Sequence, residues 1–131
     1  MKNRFVFLTT LLLALAVFLA ACGSGTPAPT PTPTEPPGDP AAGKIAYDKT
    51  CIACHGPDLK GMPSLGKDLT TSEFVGGKTN PEMIEFLKVG RPASDPLNTQ
   101  GVDMPPKGGN PALTDADLLN IVAYVRTKQV K

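Results

Sequence analysis

The amino-acid sequence predicts a small all-α domain with about three main helices and long connecting loops. Three helix-start signals occur within residues 39–131, each a capping side chain followed by apolar residues at helical spacing. The segments between these helices, 56–79 and 91–113, are rich in Gly and Pro and lack the period-two alternation of strands. Loops of about 20 residues are uncommon in a compact domain unless something in the core organises them. We therefore expect no β-sheet, and a bound group on which the loops pack.

The first two helices can be located from their terminal residues. Asp39 followed by Pro40 is a strong start, because a carboxylate caps the helix and proline suits its first turn; this helix can run to about Thr50. Asn80 followed by proline is a second start, and Gly90 is the corresponding stop. The second helix should therefore span about ten residues.

The third helix is predicted to begin at Thr114, because Asp117 follows three residues later in a pattern similar to a capping box. Its apolar residues fall on one stripe at helical spacing. They are Leu118, Ile121, Val122 and Val125. We expect this helix to run to the C-terminus.

The N-terminal segment 1–21 has the layout of a secretory signal. Lys2 and Arg4 precede a mostly apolar run at 5–21. The alternative is an uncleaved membrane helix, for which this run is at the short end of the roughly 17 to 25 residues required. The sequence therefore predicts export of residues 39–131 as a folded domain.

Cys22 directly follows the apolar run, and Leu19-Ala20-Ala21-Cys22 resembles a bacterial lipobox. The resemblance implies that Cys22 is lipidated and becomes the new N-terminus after cleavage. Two acyl chains give stable anchoring where one chain is marginal. Residues 22–38 then form a Pro- and Thr-rich linker that cannot bury a core. We expect anchoring to the outer face of the cytoplasmic membrane, on the periplasmic or extracellular side.

Charge excludes one class of partner. The chain has 13 Lys and Arg against 12 Asp and Glu, and removal of Lys2 and Arg4 with the leader leaves 11 against 12. No basic patch interleaved with aromatic residues is present, so the electrostatic footprint of a nucleic-acid-binding protein is missing.

The motif that carries the chemistry is Cys51-Ile52-Ala53-Cys54-His55. Two cysteines at this spacing can form thioether bonds to the two vinyl groups of one porphyrin, and the adjacent histidine can donate a ring nitrogen to its iron. The motif therefore predicts one covalently bound haem c.

A thioredoxin-like redox pair and half of a zinc site are the alternatives for this motif. A structural zinc site requires four ligands, and His55 is the only histidine of the chain. A thioredoxin-like pair belongs beside a βαβ pattern, which is absent from this sequence. Both alternatives therefore fit poorly.

Residues 39–131 resemble the class I cytochromes c. The first helix has a glycine and a tyrosine four apart, a CxxCH motif follows, and a methionine precedes the last helix in a loop. The resemblance implies that the N- and C-terminal helices cross where the first helix has its glycine. The residues that carry this part of the resemblance are Gly43, Tyr47, Ile121 and Tyr124.

A methionine is the expected sixth ligand, because no second histidine is available. Met83 lies on the apolar side of a helix, where a core role is expected. Met62 is only seven residues past His55, so its expected role is packing. Met104, followed by Pro105, is similar to the Met-Pro motif of the family in wording and position, which implies that Met104 and His55 are the axial ligands.

Further site residues follow from the resemblance. In the family a proline carbonyl accepts a hydrogen bond from the proximal histidine, and Pro63 matches that place; Leu65 should then pack on the haem. Arg91 is expected to pair with a haem propionate, with a solvated loop arginine as the alternative. Three lysines are candidates for the border of the exposed haem edge: Lys60, Lys67 and Lys107.

The predicted function is single-electron transfer by a membrane-tethered carrier rather than an enzyme, because a fully ligated iron leaves no place for a substrate. The expected partners are redox proteins or a membrane respiratory or photosynthetic complex, with no small-molecule substrate. The alternative is a gas-binding or peroxidase-type cytochrome with an open or labile sixth position. The loop 90–111 is also similar to loops in mono-haem cytochromes of quinol-oxidising assemblies, among them the lipoprotein subunits of alternative complex III.

Overall fold

A computed structural model describes residues 37–130. The predicted leader, Cys22 and all but the last two residues of the linker lie outside the described residues. Within 37–130 the structure is helical with no strands, which confirms the all-α prediction. The helices are α1 (Pro40–Thr50), α2 (Ile52–His55), α3 (Glu73–Gly76), α4 (Asn80–Val89), a 3₁₀ turn (Pro106–Gly109) and α5 (Asp115–Thr127).

Helices α1 and α5 cross in close contact, as the resemblance implied. A Cβ atom at Gly43 would overlap the backbone carbonyl of Asn120, so only glycine allows the two backbones to approach this closely. One turn along, the rings of Tyr47 and Tyr124 meet edge to face, with centroids 5.4 Å apart and an interplanar angle of 61°. This crossing is the scaffold on which the loops are assembled.

The helix starts follow the predicted capping chemistry with one shift. Asp39 caps α1, accepting hydrogen bonds from the backbone N–H groups of residues 41 and 42. In α4 the N-cap is Thr79 rather than Asn80, because Thr79 and Glu82 form a capping box. Thr114 and Asp117 form the box predicted for α5.

The predicted end is correct for α4 and too late for α5. Gly90 ends α4 with a φ of +74°, as a glycine stop should. Helix α5 ends at Thr127, whereas the sequence predicted that it would continue to the C-terminus. The difference arises because Val130 leaves the helical path and donates its backbone N–H to the carbonyl of Thr70, 2.9 Å away.

The buried apolar residues form one cluster between the helices. None of the helices within residues 37–130 is both long and apolar enough to cross a membrane. The cluster consists of Tyr47, Leu59, Val75, Met83, Ile84, Leu87, Leu113, Leu118, Ile121, Val122, Tyr124 and Val125.

Candidate haem site

A large cavity lies beside this core and is partly open to solvent. Its lining is mostly apolar, and its empty volume, counted together with the space open to solvent, is about 1380 Å³. Core residues of α4 and α5 form one wall, while the loops at 65–75 and 97–108 form others. Cys51, Cys54 and His55 all line it. The long loops predicted from the sequence therefore surround one common space.

The junction between α1 and α2 presents the two cysteines and the histidine. Cys51 ends α1 and caps α2, and its backbone N–H donates to the carbonyl of Tyr47 over 2.8 Å. Gly56 ends α2 with a φ of +74°, a conformation that favours glycine. The buried hydroxyl of Tyr47 donates to the Gly56 carbonyl over 2.7 Å. One side chain of the α1–α5 crossing thus fixes the end of the CxxCH segment.

His55 is oriented by a backbone carbonyl. Its Nδ1 lies 2.9 Å from the carbonyl oxygen of Lys67. Because a carbonyl can only accept a hydrogen bond, the proton belongs on Nδ1 and the Nε2 lone pair is left for a metal. This is the arrangement that orients a metal-binding imidazole.

The acceptor for His55 is Lys67, not Pro63 as the sequence predicted. Residues 62–66 form a turn, in which the backbone N–H groups of Leu65 and Gly66 both donate to the Met62 carbonyl over 3.1 Å. This turn leaves Pro63 exposed and brings the chain back so that residue 67 lies against the imidazole.

Glycine permits that return. A Cβ atom at Gly66 would overlap the backbone carbonyl of Cys54, so the loop touches the CxxCH segment backbone to backbone. Met62 adds a hydrogen bond from its N–H to the same Cys54 carbonyl, 2.9 Å away. Leu65, which was expected to pack on the haem, lines the cavity and is 40% exposed.

The thiols do not resemble a redox-active pair. Burial, with a smaller contribution from the charge of Cys54, raises the pKa of Cys51 to about 11. A thioredoxin-like nucleophile requires the opposite shift, because the thiolate is the reactive form. Within residues 37–130 no three His, Cys, Asp or Glu side chains come together as a site for a bare metal ion. The CxxCH segment contributes two thiols and one imidazole to the cavity lining.

Two of the three candidate methionines line the cavity. Met62 does not, and 44% of its surface is exposed. Met83 is buried on α4, in the core role expected for it, and also lines the cavity. Met104 is half-buried in the loop before α5 and lines the cavity as well. Met104 as sixth ligand stays a prediction, compatible with this placement.

Arg91 is partly buried, so the alternative prediction of a solvated loop arginine is wrong. Only 14% of its side chain is exposed, and its guanidinium carbon lies 4.5 Å from the Phe74 ring centroid and 5.0 Å from that of Phe86. Its Nε is buried without a hydrogen bond. That atom lies 3.5 Å from Oδ2 of Asp95, close enough for charge attraction but not aligned for a hydrogen bond.

The backbone of Arg91 pairs with that of Met104. The two residues exchange N–H to carbonyl hydrogen bonds of 2.8 Å in each direction, forming an isolated antiparallel bridge. A Cβ atom at Gly90 would overlap the Met104 carbonyl, so glycine is required beside this bridge as well. Arg91, the first residue after α4 and Gly90, therefore fixes the backbone position of Met104, the predicted sixth ligand.

Lys107 lines the cavity, but its ammonium group is not free to guide a partner. Its Nζ donates to the carbonyls of Leu113 and Pro111, over 2.6 and 3.3 Å, so the ammonium group is turned toward the protein. Lys60 and Lys67 are exposed.

The residues present fit a haem. An apolar cavity, two adjacent thiols and an imidazole with a free Nε2 suit covalent attachment and iron ligation. Arg91 also lines the cavity, and a guanidinium group suits a carboxylate. Sequence reasoning missed Lys67 as the acceptor for His55, and the two phenylalanines under Arg91. No side-chain pattern could have revealed Lys67, because only its backbone takes part.

Comparison with known proteins agrees with this site. A sequence model described as Cytochrome c matches residues 40–129. Cytochrome c-555 of Chlorobaculum thiosulfatiphilum is 37% identical over 87 residues, which cover 66% of this chain and 93% of that protein. Cytochrome c-551 of Bacillus subtilis is 40% identical over 81 residues, or 60% of this chain and 68% of that protein.

A larger protein is also similar. The cbb3-type cytochrome c oxidase subunit CcoP of Rhodobacter capsulatus is 28% identical over 87 residues, covering 66% of this chain but only 28% of CcoP. No solved protein structure matched the chain.

Proposed function

The chain belongs to the cytochrome c family, and from that premise we propose that it is a membrane-tethered carrier whose single haem is ligated by His55 and Met104. Membership implies one covalently bound haem c and an electron-carrying role. The tether, the sixth ligand and the partners are the parts that we add. The observation that carries the proposal is the hydrogen bond from His55 to the Lys67 carbonyl, at a cavity that Cys51, Cys54 and Met104 also line.

The haem, when bound, supplies the Fe(II)/Fe(III) couple. The chain's own part is to hold and shield it. Cys51 and Cys54 would anchor it, and the Lys67 carbonyl would keep the His55 ring in one tautomer and orientation. The apolar lining would limit access of water to the haem, and a Met104 thioether as ligand would raise its reduction potential.

The ligand proposal is tested by Met104→Ala, with Met62→Ala as the matched control. Met62 does not line the cavity, so its loss should leave the spectrum unchanged. Met104→Ala should abolish the weak charge-transfer band at the red end of the oxidised spectrum and lower the midpoint potential by on the order of 0.1 V. It should also allow rapid binding of CO to the reduced protein.

The wild-type protein decides between the carrier and the gas-binding or peroxidase-type alternative. A carrier should have a low-spin oxidised spectrum with the methionine band and should bind CO slowly. A high-spin spectrum with rapid CO binding in the wild-type protein would overturn the carrier proposal. Loss of the band in Met83→Ala but not in Met104→Ala would assign the ligand to α4 instead.

The proposed anchor is the lipid on Cys22, joined through the linker 22–38 to the domain on the outer face of the cytoplasmic membrane. Support comes from the similarity of residues 19–22 to a lipobox. The test of this anchor is the fractionation of the Cys22→Ser variant. Cys22→Ser is expected to move the exported protein to the soluble fraction. Retention in membranes through residues 5–21 would show a helical anchor instead.

The proposed partners are components of a membrane respiratory or photosynthetic chain. The name of CcoP as an oxidase subunit supports a respiratory place. The loop at 90–111 supports, as a second candidate, a fixed place in a quinol-oxidising assembly such as alternative complex III. Native membranes solubilised in mild detergent would separate these two: a fixed subunit should co-migrate with a large complex, and a shuttle should migrate alone.

A further inference from the structure

The segment from Arg91 to Met104 forms a closed loop in which one side chain, that of Asn98, makes four hydrogen bonds to the backbone. The loop is closed at its base by the two backbone hydrogen bonds between its first and last residues. We infer that Asn98 is a positioning residue: it keeps this loop shut and thereby keeps Met104 on the iron. The inference rests on the proposed function, since it takes Met104 to be the ligand.

Asn98 uses both ends of its side-chain amide inside the loop. Its Nδ2 donates to the carbonyl of Pro92 over 3.0 Å and to that of Val102 over 2.8 Å. Its Oδ1 accepts from the backbone N–H groups of Gln100 and Gly101 over 3.0 and 3.1 Å. The amide offers two donors and an acceptor oxygen, so all of its hydrogen-bonding groups are in use.

These bonds connect the two arms of the loop. Pro92 follows the bridge residue on the incoming arm, and Val102 lies two residues before Met104 on the outgoing arm. The Nδ2 group of Asn98 therefore connects the backbone of the incoming arm to the backbone of the outgoing arm.

Two aspartates also accept hydrogen bonds from backbone N–H groups of the loop. Asp95 Oδ1 accepts from the N–H of Leu97, two residues away. Asp103 Oδ1 accepts from the N–H of Ala93 over 2.5 Å, which joins the arms close to the base. Only Asn98, among the side chains of this loop, bonds to both arms and to the turn at residues 100 and 101.

The loop depends on such bonds because none of its residues is a buried member of the apolar cluster. Its exposed apolar side chains, Leu97 and Val102, line the cavity instead. Segments with few buried contacts are the ones that open locally without global unfolding. If Asn98 is lost, the open form should become more populated, and an external ligand that competes with Met104 should bind more tightly by the same factor.

The experiment compares Asn98→Ala with two controls in the haem-loaded, oxidised protein. Asn120→Ala removes the same kind of side chain, which accepts a hydrogen bond from Asp39 N–H at the α1–α5 crossing, far along the chain from the loop. Ser94→Ala changes an exposed residue of the same loop that does not line the cavity. Imidazole is titrated as the competing ligand, and amide hydrogen exchange is followed at Arg91 and Met104.

We expect Asn98→Ala to lower the apparent dissociation constant of imidazole about tenfold, because several partly exposed hydrogen bonds are lost together. The amides of Arg91 and Met104 should exchange faster by a similar factor, a readout that does not depend on electron transfer. Both controls should stay within about twofold of the wild-type protein. The Soret band and the unfolding transition show that each variant is folded.

Failure of the inference differs from failure of the proposed function. A wild-type protein that has the methionine band, together with an Asn98→Ala variant that binds imidazole and exchanges amides like the wild type, overturns the role of Asn98 and leaves the carrier intact. Equal weakening in Asn120→Ala would also overturn it, because the effect would then be global. A wild-type protein without the band overturns the ligand assignment and, with it, this inference.

Discussion

The α1–α5 crossing and the loop beneath His55 are held by different kinds of contact. In the crossing, side chains at helical spacing meet, as the rings of Tyr47 and Tyr124 do. In the loop at 56–67, backbone groups bond to one another: the N–H of Gly61 donates to the His55 carbonyl over 2.9 Å, and that of Met62 donates to the Cys54 carbonyl. Glycines allow the close approach of backbones in both regions. The contacts depend on the type of side chain mainly in the crossing.

The crossing is therefore expected to support the stability of the fold, and the loop to set the surroundings of His55. Changes at the crossing should reduce the free energy of unfolding and leave the surroundings of His55 unchanged. Changes in the loop should disturb the surroundings of His55 beyond their effect on the free energy of unfolding. Four substitutions test this division.

The largest effect is expected from Gly43→Ala in the crossing. The new Cβ would overlap the backbone of Asn120, which cannot move aside as a flexible side chain could. We expect the free energy of unfolding to fall by about 3 kcal/mol. Gly76→Ala is the control, since its Cβ would meet only the flexible Gln129 side chain at 3.6 Å, and should change stability by less than about 0.5 kcal/mol. Denaturant unfolding measures both, and equal effects would contradict the prediction.

Gly66→Ala should disturb the loop more than the fold. Its Cβ would overlap the Cys54 carbonyl and push the 62–67 turn away from the CxxCH segment. We expect a loss of about 2 kcal/mol in unfolding free energy. The distinguishing readout is the exchange of the Met62 amide, which should speed up in Gly66→Ala far beyond the global change and should follow only global stability in Gly43→Ala. The same exchange pattern in both variants would break the proposed division.

Tyr47→Phe probes the one side chain that serves both regions. Its hydroxyl donates to the buried Gly56 carbonyl, so its removal should cost about 1.5 kcal/mol at neutral pH. Burial raises the pKa of Tyr47 above its usual value near 10. The folded state therefore holds this proton more tightly than the unfolded state. The contribution of the protonated Tyr47 hydroxyl to the free energy of unfolding is complete below pH 10 and is lost as the pH rises above 10.

The measurement for Tyr47 is the unfolding free energy across the alkaline range. The wild-type protein should lose its advantage over Tyr47→Phe progressively above pH 10. Tyr124→Phe, which removes a hydroxyl from the other ring of the pair, is the control and should cost less at neutral pH. A constant difference between the wild type and Tyr47→Phe up to the highest pH reached would refute the linkage.

Thr114→Ala should have the smallest effect, about 1 kcal/mol, through loss of the α5 cap. The Thr114 hydroxyl, followed by its backbone N–H, lowers the pKa of Asp117 below 3.8. A carboxyl with a lowered folded-state pKa stabilises the fold above its unfolded-state pKa, and the contribution is lost as the pH falls through the lowered value. The wild-type advantage should therefore shrink in acid. Thermal unfolding at neutral and acid pH, with Thr99→Ala as control, checks this.

Much of the helical scaffold could be predicted because its signals are side chains at fixed spacing. Asp39 and Thr114 cap helices where the sequence indicated, and Gly43 lies at the crossing. The start of α4 was misplaced by one residue, because proline drew attention to Asn80 while the capping box belongs to Thr79. Short turns such as α3 were missed, since four residues carry no periodicity.

The candidate site could be predicted where side chains act and not where backbone acts. Cys51, Cys54, His55 and Met104 all line the cavity, and each was identified from its side-chain type. The carbonyl of Lys67 could not be identified, because every residue has one and the fold of the 62–66 turn decides which one reaches the imidazole. Asn98 was missed for a related reason, since its partners are backbone atoms from both arms of a loop.

The inward turn of Lys107 has a consequence for how partners arrive. With its ammonium group bonded to two carbonyls, this residue does not offer a mobile positive charge to a passing protein. The mature chain would carry 11 basic against 12 acidic residues, so the long-range field is also weak. Without electrostatic steering, association is slower and changes little with salt. We therefore expect the rate of electron exchange with a partner to vary only weakly across ionic strength, and a steep decline with added salt would argue against it.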